Sequence, residues 1–399
     1  MTDKMPTFSP VSGVRNTGLS RRGFLRGVGA TGAAAAGASL LAACGSDSGG
    51  DGGTSGGSED QILNVANWPL YIDQIKRDNQ APGTTMADFM DETGITVNYT
   101  EPINDNEEYF AKIRPVLAAG KDVGVDIFIL TDWMASKLIN LDWVQTLDKG
   151  NIQNFDNLTS TLKSPTFDPN RDYTLPWQSG VTGIAYDKTL TDPVTTVNDL
   201  LTNPDLNGSI TLLKEMRDTM GLILLDQGSD PADFTADEWS SAIATLQAAN
   251  DSGQVRQFTG NNYAQLLAKG DIKACFAWSG DVIQLQFDNP NIEFVIPDAG
   301  GMLWSDNMMI PNNAQHKANA EEWMNYYYDP KVAAKLEAWV NYICPVDGAQ
   351  EEMMKIDKSL ADNPLIFPSQ DDYAELSIFR ALSDEEETQF AQEFQSITV

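Results

Sequence analysis

Short apolar runs alternate with amphipathic stretches through most of this 399-residue chain. Residues 62–68 read as a strand that stops at Pro69, because proline cannot donate to a ladder. Residues 86–92 read as a helix closed by Gly94, and residues 95–99 alternate with period two, like a strand. Apolar positions at Tyr109, Ile113, Val116 and Leu117 place a helix over 107–119, ending at Gly120. A buried strand over 125–130 and a helix over 134–141 complete a first set. The second set has strands over 182–186 and 210–213, helices over 216–227 and 236–250, and strands over 274–278 and 293–296. Helices follow over 317–328 and 330–339, and the acidic run from Asp384 to Glu387, behind Ser383 as N-cap, opens a last one. This alternation predicts an α/β fold with a parallel-rich sheet covered on both faces.

Residues 1–58 depart from that pattern. Ser20-Arg21-Arg22-Gly23-Phe24-Leu25-Arg26 matches a twin-arginine export signal, with Arg26 for the usual lysine. A run of small and apolar residues follows, and Leu41-Ala42-Ala43-Cys44 matches a lipobox. The competing reading, a membrane-spanning helix over 27–43, is weakened by Gly27, Gly29, Gly32 and Gly37. The expectation is a signal peptide over 1–43 with Arg21 and Arg22 as export residues, a lipid on Cys44, and a Gly/Ser tether over 44–58. That puts the folded body on the outer face of a bacterial cytoplasmic membrane or in the periplasm.

Composition removes several classes of chemistry. The chain has 26 basic and 57 acidic residues, net −31, and without the leader 21 against 56, net −35. Such a field repels nucleic acid and attracts cations. The single histidine, His316, rules out a His-rich zinc site and is expected in a surface turn. Cys275 and Cys344 remain after Cys44; one disulfide and two buried thiols are both open. There is no Gly-rich phosphate loop, no G-x-S-x-G and no internal repeat. No cofactor or metal is expected.

One motif repeats where the strands end, the place where open α/β sheets hold ligands. The ends read Asn67-Trp68-Pro69-Leu70-Tyr71, Thr131-Asp132-Trp133, Trp278-Ser279-Gly280-Asp281 and, after a Gly turn, Trp304-Ser305-Asp306; Glu215 and Asp218 follow the strand at 210–213. Indole faces attract desolvated ammonium groups and cover methylene chains, and carboxylates make charge-assisted hydrogen bonds to –NH3+. The combination suits an elongated aliphatic polycation. A sugar could also stack on Trp and bond to Asp, so the residues alone leave the ligand open. A hydrolase using Glu215 and Asp218 is the rival of another class, but carboxylates three apart on one helix face cannot flank a scissile bond.

The same motifs, from about Leu63 to about Gly348, closely resemble the spermidine/putrescine-binding proteins of polyamine ABC transporters. The resemblance is carried by Asn67-Trp68-x-x-Tyr71, Glu92-Thr93-Gly94-Ile95-x-Val97, Asn106-Glu107-Glu108, residues 125–130, Trp278-Ser279-Gly280-Asp281, Trp304-Ser305-Asp306 followed by Ile310-Pro311, and Asn341-Tyr342-Ile343-Cys344-Pro345. It implies a type II periplasmic-binding-protein fold: two α/β lobes joined by crossing strands, with ligand in the interlobe cleft. Lobe 1 is then 59–180 with 305–347, and lobe 2 is 181–304 with 348–399. Carried over by position, Trp68, Tyr71, Thr131 and Trp133 line one wall, and Glu215 with Asp218 holds one amine. Trp278 and Trp304 stack on the methylene chain, Asp306 takes another amine, and Tyr342 closes the site near the hinge. The implied partners are a polyamine and ABC permease subunits, for a monomer that catalyses nothing. Lys214 and Asp132 depart from the pattern: Lys214 either narrows ligand choice or points outward, and Asp132 adds an acid. Gln370 and Asp371 are candidates for the distal end.

Overall fold

The computed structural model describes residues 60–398. Arg21, Arg22, Cys44 and the tether lie outside the described residues. The chain runs through β1 (Ile62–Ala66), α1 (Thr85–Thr93), β2 (Thr96–Thr100), α2 (Asn106–Ala118), β3 (Ile127–Thr131), α3 (Asp132–Asn140) and β4 (Leu175–Asp187). It continues with α4 (Val197–Thr202), β5 (Ile210–Leu213), α5 (Met216–Asp226), α6 (Ala236–Asp251), β6 (Val255–Thr259), α7 (Tyr263–Lys269), β7 (Ala274–Trp278) and α8 (Ser279–Asp288). Then come β8 (Ile292–Val295), β9 (Gly301–Met309), α9 (Lys317–Tyr327), α10 (Pro330–Val340), α11 (Ala349–Ile356), α12 (Lys358–Ala361), α13 (Gln370–Ala374), β10 (Leu376–Ser377) and α14 (Asp384–Thr398).

Local signals account for several boundaries. Thr84 caps α1 by accepting from the Ala87 N–H, and Gly94 ends it in the left-handed region at φ 75°. Asp105 caps α2 by accepting from the Glu108 N–H. Thr235 and Glu238 form a capping box at the start of α6.

The strands join in the order β2-β1-β3-β9-β4-β7-β5-β6, with β8 on β4 and β10 on β9. The expectation of a parallel-rich sheet holds only at the two ends. Blocks β2-β1-β3 and β7-β5-β6 are each parallel, and antiparallel β9 and β4 run between them. Each block has its own aromatic core: Trp177 stacks on Trp323 (6.1 Å) near the first, and Trp239 on Phe390 (4.0 Å) near the second.

The two central strands differ most from the pattern reading. All of β4 is buried, yet only 182–186 reads as a strand, because Gln178, Ser179 and Gly180 interrupt the apolar run. The burial of Ser179 is compatible with the fold because its partner is internal: the Ser179 and Ser305 hydroxyls bond at 2.7 Å. Residues 304–306 are not a polar loop after a turn; they lie within β9, with Asp306 opposite Thr131 on one side and Gln178 on the other. Likewise Trp278 leads directly into α8 with no loop between.

Beyond α10 the chain returns to β4, where Ser179 and Ile343 exchange both backbone hydrogen bonds (3.1 and 2.8 Å). Gln370 then bonds Thr161 at 3.1 Å, and Arg380 donates its N–H to the Pro231 carbonyl at 3.0 Å. Cys275 and Cys344 are both free and buried. His316 is not a free surface group: its ring Nδ1 lies 3.0 Å from the Asp126 carboxylate, with 15% of the side chain exposed. No helix among the described residues is long and apolar enough to cross a membrane.

Candidate functional site: an aromatic and acidic cleft

A cavity of about 740 Å³ opens between the two parallel blocks, and all ten candidate residues line it. Three of them sit where a strand becomes a helix. Thr131 ends β3 at the N-cap of α3, Glu215 is the N-cap of α5, and Trp278 ends β7 at the N-cap of α8. None uses its side chain to cap its own helix, so each is available to the cleft.

From the first block, Trp68 is fixed by its indole N–H on the Ile129 carbonyl (3.0 Å). The Tyr71 hydroxyl donates to Asp306 Oδ2 (2.9 Å), and the Thr131 hydroxyl donates to Asp306 Oδ1 (2.7 Å). Trp133 stands in the first turn of α3 and carries the Arg217 guanidinium 4.0 Å from its ring centroid. From the second block, Asp218 accepts from the Thr182 hydroxyl (2.9 Å) and the Trp278 indole N–H (3.0 Å). Glu215 Oε1 accepts from the backbone and side-chain N–H groups of Asn106, each at 3.0 Å.

The aromatic residues form a continuous arc. Ring centroids lie 6.2 Å apart for Trp68–Trp278, 6.3 Å for Trp278–Trp304, 5.6 Å for Trp304–Tyr342 and 5.1 Å for Tyr342–Tyr71. Edge-to-face contacts of this kind fix ring orientation. Two glycines admit the arc. A Cβ at Gly180 would stand 2.4 Å from the Trp304 ring, and one at Gly280 would stand 2.4 Å from the Tyr342 ring.

Sequence reasoning overlooked Asp281 as a site residue. It occupies the first turn of α8 and accepts from Tyr342 (2.8 Å), Tyr263 (2.7 Å) and Asn261 (2.8 Å). Its place three residues after Trp278 was the available signal, but its partners come from distant segments. Asn106 and Arg217 were overlooked too. Lys214 is exposed and off the cavity lining. Gln370 and Asp371 are exposed and do not line it either; residues 378–381 do.

Burial sets the electrostatics. It pushes the Asp306 carboxyl up to about 7, against hydrogen bonds from Thr131 and Tyr71. Asp218 and Asp281 are each pushed up to about 6, and Glu215 to about 8, again chiefly by burial. None of these four forms a salt bridge among the described residues. The basic groups of the lining are engaged elsewhere: Arg217 with Glu387 (2.5 Å), Arg380 with Glu386 (2.6 Å), and Arg171 beside Asp132. The cleft therefore presents four buried carboxyls without a salt bridge, beside an aromatic arc; of these, Asp218 and Glu215 feel Arg217 at longer range. Such a site has the chemistry to hold a cation.

The family model described as "Bacterial extracellular solute-binding protein" matches residues 84–368. The chain belongs to that family. It is 27% identical over 289 residues to the spermidine/putrescine-binding periplasmic protein of Escherichia coli, covering 72% of this chain and 78% of that protein. It is also 27% identical over 338 residues to the putrescine-binding periplasmic protein PotF of Escherichia coli, covering 80% and 86%. Among solved structures, the spermidine/putrescine ABC transporter substrate-binding protein PotD of Streptococcus pneumoniae superposes with a TM-score of 0.68 at 23% identity, over 85% of this chain and 98% of that one. The fold is that of the type II periplasmic binding proteins. Members of this family are solute-binding transport proteins rather than enzymes.

Proposed function

We propose that this solute-binding protein captures a polyamine, putrescine or spermidine, between two lobes and delivers it to an ABC importer. The observation that carries the reading is the set of four carboxyls without salt bridges beside the aromatic arc. A polycation supplies the missing charge at separate points, and its methylene segments cover the indole faces. Each indole–ammonium contact contributes about 0.5–2 kcal/mol. In this reading Asp306 holds one ammonium between Tyr71 and Thr131. Asp218 holds another. Trp68, Trp133, Trp278, Trp304 and Tyr342 enclose the chain between them, and Asp281 adds a third carboxylate. The names of the Escherichia coli relatives point to the same ligand class.

The lobes follow the two parallel blocks, with β4 and β9 crossing between them. The return crossing fits better between residues 370 and 380 than at 348, because Gln370 bonds Thr161 whereas Arg380 bonds Pro231. Closure follows from differential affinity: ligand contacts both lobes only when they meet. Twin-arginine export and a lipid on Cys44, for which residues 20–44 speak, tether a monomer to the outer face of the cytoplasmic membrane, where permease subunits read the closed form.

Calorimetric titration with putrescine, cadaverine, spermidine, spermine and a disaccharide tests the ligand. The expected result is one-site binding of a polyamine at about −8 kcal/mol or better, persisting at high salt. Weak binding of every polycation, erased by salt, would mean that only the acidic surface responds. Tight disaccharide binding would replace the ligand class.

A further inference from the structure

The first turn of α5 reaches across the cleft at two points. Glu215 takes both of its Asn106 hydrogen bonds from the opposite side. Asn106 is the first residue of α2, where the backbone N–H has no acceptor within its own helix and the helix dipole favours negative charge. The donors are preset, because Thr131 donates its N–H to Asn106 Oδ1 (3.1 Å) and accepts from Nδ2 at its hydroxyl (2.9 Å). Two residues beyond Glu215, Arg217 places its guanidinium over Trp133 of α3, with Glu387 of α14 behind it. Backbones also meet here: a Cβ at Gly260 would lie 2.6 Å from the Asn104 carbonyl oxygen.

We propose that Glu215 and Arg217 form an interlobe latch, Glu215 through Asn106 and Arg217 through Trp133, so that Glu215 holds the cleft shut and leaves the ammonium groups to Asp218, Asp281 and Asp306. This deepens the solute-receptor reading and rests on it in one respect, that binding requires closure. Glu215 and Arg217 are then positioning residues. Their loss speeds solute escape, whereas loss of a ligand-contacting carboxylate removes binding with the lobes still able to meet.

Two exposed alanines, Ala118 on α2 and Ala248 on α6, provide label sites as Ala118→Cys and Ala248→Cys, since Cys275 and Cys344 are buried. The distance distribution between spin labels is measured with and without spermidine in the parent, Asn106→Asp, Arg217→Met, Glu215→Ala and Asp306→Asn proteins, alongside association and dissociation rates. Measured at pH 9, above the value of about 8 to which burial raises Glu215, Asn106→Asp sets a second carboxylate against an ionised Glu215. It is expected to lengthen the interlobe distance and raise the dissociation rate about tenfold or more, with association changed less than about threefold. Arg217→Met is expected to shift both in the same direction by less. Parent-like distances and dissociation rates in both variants would overturn the latch. So would a Glu215→Ala protein that loses spermidine as completely as Asp306→Asn while keeping the short distance. If the parent binds no polyamine, the function reading fails, and the distance shift of Asn106→Asp without added solute still decides the latch.

Discussion

Two corners of the same cleft hold buried carboxyls and differ in what answers them. At one corner Arg171, 2% exposed, donates to the Leu162 carbonyl, Thr174 and Asn307, and Asn307 donates onward to Asp132 at 2.7 Å. Asp168 accepts there from the N–H groups of Asp172, Tyr173 and Thr174. At the other corner Asp306, Asp218, Asp281 and Glu215 accept from hydroxyl, indole and amide donors, but from no cation. Burial raises carboxyls in both places, Asp132 to about 6 even with Arg171 beside it. The first corner carries its own counter-charge and holds the structure together. The second has only Arg217, at longer range from Asp218 and Glu215 and paired with Glu387, and in the proposed function the solute supplies the remaining charge.

The sharpest way to break this comparison is one substitution in each corner. Asp306→Asn keeps the side-chain shape and removes a charge that burial disfavours. Solute affinity is expected to fall by about a hundredfold or more, which titration reads directly. The ligand-free protein should be no less stable, and more stable by roughly 1–3 kcal/mol at pH 8, as urea unfolding would show. Arg171→Met is expected to do the reverse. It leaves Asp132 buried without its cation and should cost about 3 kcal/mol of stability, while the folded fraction binds solute within about threefold of the parent. A variant that unfolds less but binds far worse would put Arg171 in the binding machinery.

The smaller effect is in pH. An unfolded carboxyl titrates near 4, whereas the cleft carboxyls are raised to about 6, 6, 7 and 8. Between those values the native state binds more protons than the unfolded state, so stability falls as pH rises. The slope is up to about 1.4 kcal/mol per pH unit for each carboxyl still protonated. Unfolding midpoints from pH 5 to 8 should show this decline, and saturating polyamine should flatten it.

The sequence displayed the walls of the cleft more clearly than its middle. Trp68, Thr131 and Trp278 were legible because each stands at the end of an apolar strand. Trp304 and Asp306 were legible as chemistry but misplaced as a loop, because Ser305, Asp306 and Asn307 form a consecutive polar run inside the buried strand β9. The same cause hid the first half of β4, whose Ser179 is satisfied only by Ser305, over a hundred residues away. Asp281 escaped because its meaning depends on Asn261, Tyr263 and Tyr342 converging. Pattern rules see neighbours along the chain, and this convergence exists only after folding. The helices outside the cleft, such as α6 and α10, followed their periodicity closely because burial of one face and a local N-cap decide them.

The most direct test counts protons. Calorimetric titration of the preferred polyamine at pH 6.5, repeated in buffers of different ionisation enthalpy, gives the protons exchanged per solute bound. The cleft carboxyls are partly protonated at that pH, and an arriving ammonium group favours their ionised forms. Net release of about one proton or more per solute is expected, declining toward pH 8. Binding with no proton exchanged, or with proton uptake, would contradict the claim that the solute supplies the charge these carboxyls lack.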